Sequence, residues 1–148
     1  MSITHVPAAV RRLVVERARS CCEYCLLPSA VAFFPHEVDH VVAEKHGGAT
    51  DAGNLAFTCW RCNRHKGTDL SSFDPDTGEF CRLFTPREQQ WRDHFALHGA
   101  TIVGVTLEGR ATVWLLQINA DDRVRERQLL IASGQVLLPD DVIESSMP

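Results

Sequence analysis

Four of the six cysteines fall into two pairs with the same spacing, Cys22 with Cys25 and Cys59 with Cys62. A two-residue gap lets both thiolates of a pair bend onto one metal ion, and four thiolates complete the tetrahedral shell that Zn²⁺ takes in structural sites. Two disulfides or four unrelated buried thiols are the alternatives, but disulfides are typical of secreted chains. The spacing therefore predicts a structural zinc site.

The segment between the two cysteine pairs carries residue types that suit the hydrolysis of a phosphodiester bond. An imidazole such as that of His40 can take a proton from water, and the carboxylate of Asp39 offers the hard oxygen that Mg²⁺ or Mn²⁺ prefers. Adjacent residues on a strand face opposite sides, so a joint role requires that the strand ends, twists or bulges at this point. An Asp-His pair by itself is weak evidence for such a site.

The order and spacing of the motifs resemble those of the zinc-stapled HNH endonucleases. The match consists of Cys22-x-x-Cys25, Asp39-His40-Val41, Gly47-Gly48, Asn54-Leu55 and Cys59-x-x-Cys62-Asn63-x-x-Lys66-Gly67. The resemblance implies a ββα-metal fold, also called the His-Me finger, and metal-dependent cleavage of DNA. It also implies that His40 activates water, that Asp39 binds the catalytic Mg²⁺ or Mn²⁺, and that Asn54 belongs to the catalytic set by holding the strand and loop that carry His40.

The third signature position of that family lies on the helix after the second cysteine pair, where two residues of this chain fit. Asn63 fits by position, and its amide oxygen suits a hard cation. His65 is the alternative ligand of the catalytic cation, or else a phosphate contact. Side chains two residues apart on a helix point about 200° apart, so we do not expect both to bind one ion.

Basic residues cluster beside the second cysteine pair. We predict that Arg61, Arg64 and Lys66 contact the nucleic-acid backbone, although a solvated surface is an equal explanation for Lys66. The chain as a whole has 15 Lys and Arg against 19 Asp and Glu, which leaves a net charge of −4. Any contact with DNA is therefore expected to be local.

Hydrophobic periodicity and turn signals predict an α+β fold for the 148 residues. Residues 1–82 are expected to contain an N-terminal helix followed by an HNH core that the zinc site of four cysteines holds together. A mixed helical and strand C-terminal extension would pack on this core over residues 83–148. Within the extension, the pattern predicts helices over 86–97, 109–117 and 121–132 and a strand over 101–107.

Two functions from different classes fit the sequence. The first is a metal-dependent DNA endonuclease, and the second is a non-catalytic zinc-binding module that recognises nucleic acid or a protein. The acidic net charge slightly favours the second, whereas Asp39, His40 and Asn54 favour the first, since a scaffold needs only the cysteines. Apolar stretches of signal-peptide or membrane-spanning length are missing, so the sequence favours a cytoplasmic protein without a membrane partner; it leaves the oligomeric state open.

Overall fold

The computed structural model describes residues 4–135, and the fold of this part of the chain is a mixture of short helices and two-stranded antiparallel sheets. The helices are α1 Ala8–Arg17, α2 Trp60–Lys66, α3 Trp91–His94, α4 Leu107–Leu115 and α5 Asp121–Ala132. The strands are β1 Glu37–His40, β2 Leu55–Thr58, β3 Ser71–Phe73, β4 Phe80–Arg82, β5 Phe95–His98 and β6 Thr101–Gly104. The expected α+β fold class is confirmed.

The ββα unit is built from β1, β2 and α2. Strand β1 pairs with β2 in antiparallel register from Glu37 opposite Thr58 to His40 opposite Leu55. Every residue of β2 is buried, as expected for a strand with packing on both faces. One residue after β2, the sulfur of Cys59 accepts a hydrogen bond from the backbone N–H of Cys62 and so caps the start of α2.

Helix α1 covers one face of the ββα unit. Val14 on this helix is fully buried and packs in one cluster with Leu55 and Phe57 of β2. The guanidinium of Arg17, at the C-terminal end of α1, donates hydrogen bonds to the carbonyls of Ala52 and Leu55. These hydrogen bonds fix α1 to the loop and strand that follow the candidate catalytic segment. Arg17 therefore has a structural role.

The chain after β4 packs on the cysteine side of the same unit. The buried cluster around the four paired cysteines includes the apolar residues Phe84, Trp91, Phe95, Ile102, Leu116 and Ile118. The indole N–H of Trp91 donates a 2.9 Å hydrogen bond to the carbonyl of Tyr24, between the two cysteines of the first pair. Through residue 135, this later part of the chain therefore shares its core with the two cysteine pairs. The division at residues 82 and 83 stays a prediction.

The predicted helix over 86–97 is wrong over most of its length. Only α3 is helical, and from Phe95 the chain continues as β5, which forms a hairpin with β6 around Gly99. Gly99 has a φ of +60°, a conformation that permits the tight reversal at little steric cost. The i, i+4 spacing of Trp91 and Phe95 is typical of one helix face. In the structure Trp91 begins α3 and Phe95 begins β5, and both rings pack in the same core cluster.

The other predicted elements of the extension are close to those observed. The strand predicted over 101–107 ends at Gly104, and α4 begins at Leu107 instead of residue 109 because the Thr106 hydroxyl caps it by accepting from the N–H of Gly109. Helix α5 has the predicted bounds. Among residues 4–135, there is no helix of the length and apolarity that crossing a bilayer requires.

Candidate active site and metal centre

The two cysteine pairs meet in one buried cluster. Their four Sγ atoms, from Cys22, Cys25, Cys59 and Cys62, all lie within 4.8 Å of one another. A zinc–sulfur bond of about 2.3 Å in a tetrahedral site separates neighbouring sulfurs by about 3.8 Å, and the Cys25 and Cys59 sulfurs are 3.6 Å apart. Because a disulfide would need about 2.05 Å and all four thiols are free, the arrangement fits a structural zinc ion and excludes the disulfide alternative for these atoms.

A buried arginine from α5 completes the surroundings of this cluster. Nη2 of Arg123 lies 3.0 Å from Sγ of Cys62 and 3.8 Å from Sγ of Cys59. Its Nη1 donates to the carbonyls of Leu116 and Gln117. One zinc ion with four thiolates carries a net charge of −2, so a guanidinium at this position neutralises part of that charge in a buried environment.

His40 is the last residue of β1 and is 3% exposed. Its Nε2 lies 2.8 Å from the Thr50 hydroxyl and 3.3 Å from a carboxylate oxygen of Glu44, and the same hydroxyl donates to Glu44. An ionised carboxylate can only accept, so this network favours the proton on Nε2. The other nitrogen, Nδ1, is enclosed and has no hydrogen-bond partner among the described residues, so this tautomer leaves a lone pair on Nδ1.

Asn54 holds the loop between His40 and β2. Its side-chain oxygen accepts from the N–H of Val42, and its amide nitrogen donates to the carbonyls of Val42 and Ala49, each at 2.9 Å. Gly48 lies against the same side chain, where an added Cβ would be 1.7 Å from the Val42 carbonyl oxygen. The structure therefore places Asn54 as a positioning residue of the loop that carries Thr50, with its hydrogen-bonding groups engaged by backbone.

Asp39 forms an ion pair with Lys66 inside the ββα unit. Nζ of Lys66 lies 3.0 Å from Oδ2 of Asp39 and also donates to the backbone carbonyls of His40 and Gly67. Burial raises the pKa of the Asp39 carboxyl above its ordinary value, and the Lys66 charge opposes this shift. Lys66 is buried, so a phosphate could reach its ammonium only if this ion pair opened.

Asp39, His40 and Asn63 line one surface groove of about 700 Å³. The sequence required that β1 end, twist or bulge for Asp39 and His40 to act together, and the strand does end at His40. Asn63 accompanies them on α2, where its amide hydrogen-bonds to the carboxylate of Glu37. His65 is exposed and lies outside the residues that line the groove. An Asp carboxylate and an Asn amide oxygen are ligands suited to Mg²⁺ or Mn²⁺.

Comparison with known proteins agrees with this geometry. Residues 22–69 match the family model of HNH endonucleases. This segment is an HNH domain. It contains both cysteine pairs and the segment from β1 to α2 that carries Asp39, His40 and Asn63.

A longer curated protein is similar to most of the chain. The Septu protein PtuB of Bacillus thuringiensis is 23% identical over 137 residues, which cover 91% of this chain and 51% of that protein. The chain thus spans about half the length of this curated relative. No solved structure matches the chain.

The two predicted arginine contacts lie at the rim of the HNH domain. Arg61 forms a 2.9 Å ion pair with Asp122 of α5, so part of its charge is already neutralised. The Arg64 guanidinium is exposed and lies 5.1 Å from the centre of the Trp60 ring, and both residues line the groove. Their contact with DNA stays a prediction, and Arg64 is placed better for it.

Sequence reasoning missed the residues that orient the candidate catalytic side chains of the HNH domain. Glu37 and Glu44 resembled ordinary surface acids, yet they hydrogen-bond or pair with Asn63 and His40 respectively. Thr50 carried no signal. Two clues were available in the sequence: His40 and Glu44 are four residues apart, and Glu37 and Asp39 share a strand face. Neither clue predicts a contact unless the strand is known to end at His40 and the following loop to fold back.

Proposed function

We propose that this protein is a metal-dependent endonuclease that hydrolyses phosphodiester bonds of DNA. The observation that carries the proposal is the state of the His40 ring, with Nε2 anchored by Thr50 and Glu44 and Nδ1 without a partner among the described residues. Nδ1 of His36 also lacks a partner, but Nε2 of His36 lies against the Leu27 carbonyl, whereas Nε2 of His40 has a carboxylate beside it that can stabilise an imidazolium. The HNH domain supports a nucleic-acid substrate.

In this proposal, His40 is the general base. Thr50 and Glu44 accept from Nε2–H, which keeps the lone pair on Nδ1 for the proton of the attacking water. Because Nδ1 is enclosed in the structure, the proposal requires that the groove opens beside the His40 ring to admit this water. As the imidazolium forms, the Glu44 carboxylate at 3.3 Å stabilises its positive charge. Asn54 keeps the loop in place, so that these partners stay aligned with the ring.

Asp39 and Asn63 are the residues that would hold the catalytic Mg²⁺ or Mn²⁺. When bound, such an ion would neutralise charge at the scissile phosphate and at the departing 3′ oxygen. The 3′ oxygen takes a proton from a solvent water to become a 3′ hydroxyl, and the attacking water becomes part of the 5′ phosphate. The Lys66 ammonium favours the ionised form of Asp39 and so opposes the rise in pKa that burial causes. We favour Asn63 over His65 for the third signature position because Asn63 lines the groove.

The test is cleavage of supercoiled plasmid DNA by the purified full chain with Mg²⁺, with Mn²⁺ and without added divalent metal. The same assay is run with His40→Ala, and zinc content and thermal unfolding are measured to show that the variant keeps its fold. His65→Ala is the matched control on the neighbouring helix. We expect metal-dependent cleavage by the wild type and by His65→Ala, and loss of cleavage in the folded His40→Ala protein.

Two results would contradict the proposal. Cleavage that survives in His40→Ala would mean that another residue activates water or that a contaminant cuts. A wild type that binds its zinc but does not cut DNA with either metal would favour the non-catalytic zinc-binding module.

A further inference from the structure

Three aromatic side chains form a surface beside the groove of the HNH domain. Phe33 is 91% exposed and Phe34 is 46% exposed, although both are large apolar side chains. The Phe33 and Phe34 rings meet edge to face with centres 4.9 Å apart, and Phe34 lies 4.8 Å from Trp60 at an interplanar angle of 33°. We call Phe33, Phe34, Trp60 and the Arg64 guanidinium above Trp60 the aromatic platform.

The aromatic platform is continuous with the candidate active site. Trp60 lines the groove that holds Asp39 and His40, and it also lines a separate hollow of about 170 Å³ together with Phe33 and Phe34. The chain runs directly from Phe34 through Pro35 into His36 and β1. A strand of nucleic acid whose phosphate lay in the groove would therefore meet these rings within the next few nucleotides.

The chemistry of the platform suits nucleobases better than a second protein surface. The Arg64 guanidinium is exposed and lies over an indole face, so its charge is available to a ligand that reaches the rings. Aromatic rings interspersed with arginines bind single strands because bases stack on the rings while the cations meet the phosphates. In a duplex the bases are stacked on each other and their faces are not available.

We propose that the aromatic platform binds unpaired nucleotides of single-stranded DNA next to the scissile phosphate. This inference rests on the proposed nuclease function for the position of the phosphate, and it narrows the substrate to DNA with an unpaired segment. Phe33 and Phe34 supply the stacking faces, and Arg64 supplies the cation. The role is one of substrate selection and requires no further chemical step.

The inference is tested by binding, independently of cleavage. The full chain, in buffer without added Mg²⁺ or Mn²⁺, is titrated against a fluorescent oligo-dT strand of about 12 nucleotides, within the range of known single-strand site sizes, and against a duplex of the same length. Phe33→Ala and Phe34→Ala are compared with Phe80→Ala, a matched control that removes an exposed ring from the β3–β4 hairpin. Phe33→Tyr keeps a stacking face, and Phe33→Leu keeps apolar area without one.

We expect the wild type to prefer the single strand. Phe33→Ala and Phe34→Ala should each weaken single-strand binding by about 5- to 150-fold, the range found when one stacked base loses its aromatic partner. Phe33→Tyr should bind like the wild type, Phe33→Leu like the alanine variant, and Phe80→Ala should have no effect. The variants should lose less affinity for the duplex.

Each opposite result overturns the inference. Equal affinity of wild type and both alanine variants for the single strand would remove the stacking role. A wild-type self-association, seen by sedimentation and lost in Phe33→Ala with unchanged DNA binding, would assign the rings to a protein interface. If the protein binds single strands through Phe33 but cuts no DNA, only the proposed nuclease function is wrong. If it cuts DNA and neither binding nor cleavage depends on Phe33, only the proposed role of the aromatic platform is wrong.

Discussion

The guanidinium of Arg123 lies 3.0 Å from the sulfur of Cys62 and joins α5 to the four clustered cysteines of the candidate zinc site. The two residues are 61 positions apart, and the same guanidinium is anchored by carbonyls at the end of α4. A single buried cation thus connects the metal cluster with both C-terminal helices. Zinc binding and the packing of this part of the chain are therefore expected to depend on each other.

Replacement of Arg123 by Gln should weaken zinc binding. The change removes the positive charge next to Cys62 and leaves the cluster with an uncompensated negative charge, so we expect a loss of zinc affinity of about 10- to 100-fold. Zinc affinity is measured by competition with a chromogenic chelator. Arg125→Gln, an exposed position on the same helix, is the control and should bind zinc like the wild type; equal affinities in all three proteins would contradict the structural account.

Loss of the partners of His40 should slow cleavage without weakening DNA binding. Thr50→Val removes the group that lies 2.8 Å from Nε2, so the ring loses the shorter of its two contacts at Nε2 and is held less firmly. We expect kcat to fall by about 10- to 100-fold, part of the contribution of a general base, with KM nearly unchanged. Thr50→Ser should recover most of the rate because the hydroxyl returns.

Glu44→Gln tests the same network through its charge. The amide still accepts a hydrogen bond but no longer stabilises the imidazolium, so kcat should fall while KM stays the same. Glu16→Gln, an exposed site on α1, is the control. A change confined to KM, or normal turnover in both Glu44→Gln and Thr50→Val, would show that these residues do not act through His40.

Lys66 should behave as a structural partner of Asp39 instead of a phosphate contact. Lys66→Met leaves the Asp39 carboxylate half-buried and unpaired, so the free energy of unfolding should fall by roughly 3 kcal/mol. Adding Asp39→Asn to Lys66→Met should recover part of this loss, because the unpaired charge disappears. Denaturant titration measures both changes.

The salt dependence of DNA binding separates the two roles of Lys66. A phosphate contact contributes about one unit to the slope of log affinity against log salt concentration. We expect Arg64→Ala to reduce this slope and Lys66→Met, measured under conditions where it is folded, to leave it unchanged. A reduced slope for Lys66→Met with unaltered stability would restore the role that the sequence suggested.

The two adjacent glycines should differ in their tolerance of a side chain. Gly48→Ala would put Cβ 1.7 Å from the Val42 carbonyl oxygen and 2.8 Å from Nδ2 of Asn54, so the loop must move, at an expected loss of about 3 kcal/mol or more. In Gly47→Ala the added Cβ meets no atom within 4 Å, and the only cost comes from the φ of +90°. The expected loss in the free energy of unfolding is about 1–2 kcal/mol. Thermal unfolding compares the pair, and equal losses would contradict this packing.

Much of the HNH domain could be predicted because its signals are local. The spacing of Cys22 and Cys25 fits one metal whatever the surrounding fold, and Asp39, His40 and Asn54 have fixed places in a recognisable order. The C-terminal extension over residues 83–148 was harder to predict from the sequence. The Trp91 and Phe95 pattern suited a helix, and the competing pairing of β5 with β6 depends on a turn at Gly99 and on a core built by distant residues.

The sequence by itself determined the two cysteine pairs of the candidate zinc site, because their chemistry follows from residue type and short spacing, and its resemblance to HNH endonucleases implied the ββα unit. Only the tertiary structure decided the partners of the candidate site residues. Thr50 and Glu44 reach His40 through a folded loop, Lys66 turns inward to Asp39, and Arg123 reaches Cys62 from another part of the chain. Such contacts form when burial makes an unpaired charge or polar atom costly, and burial is a property of the whole fold.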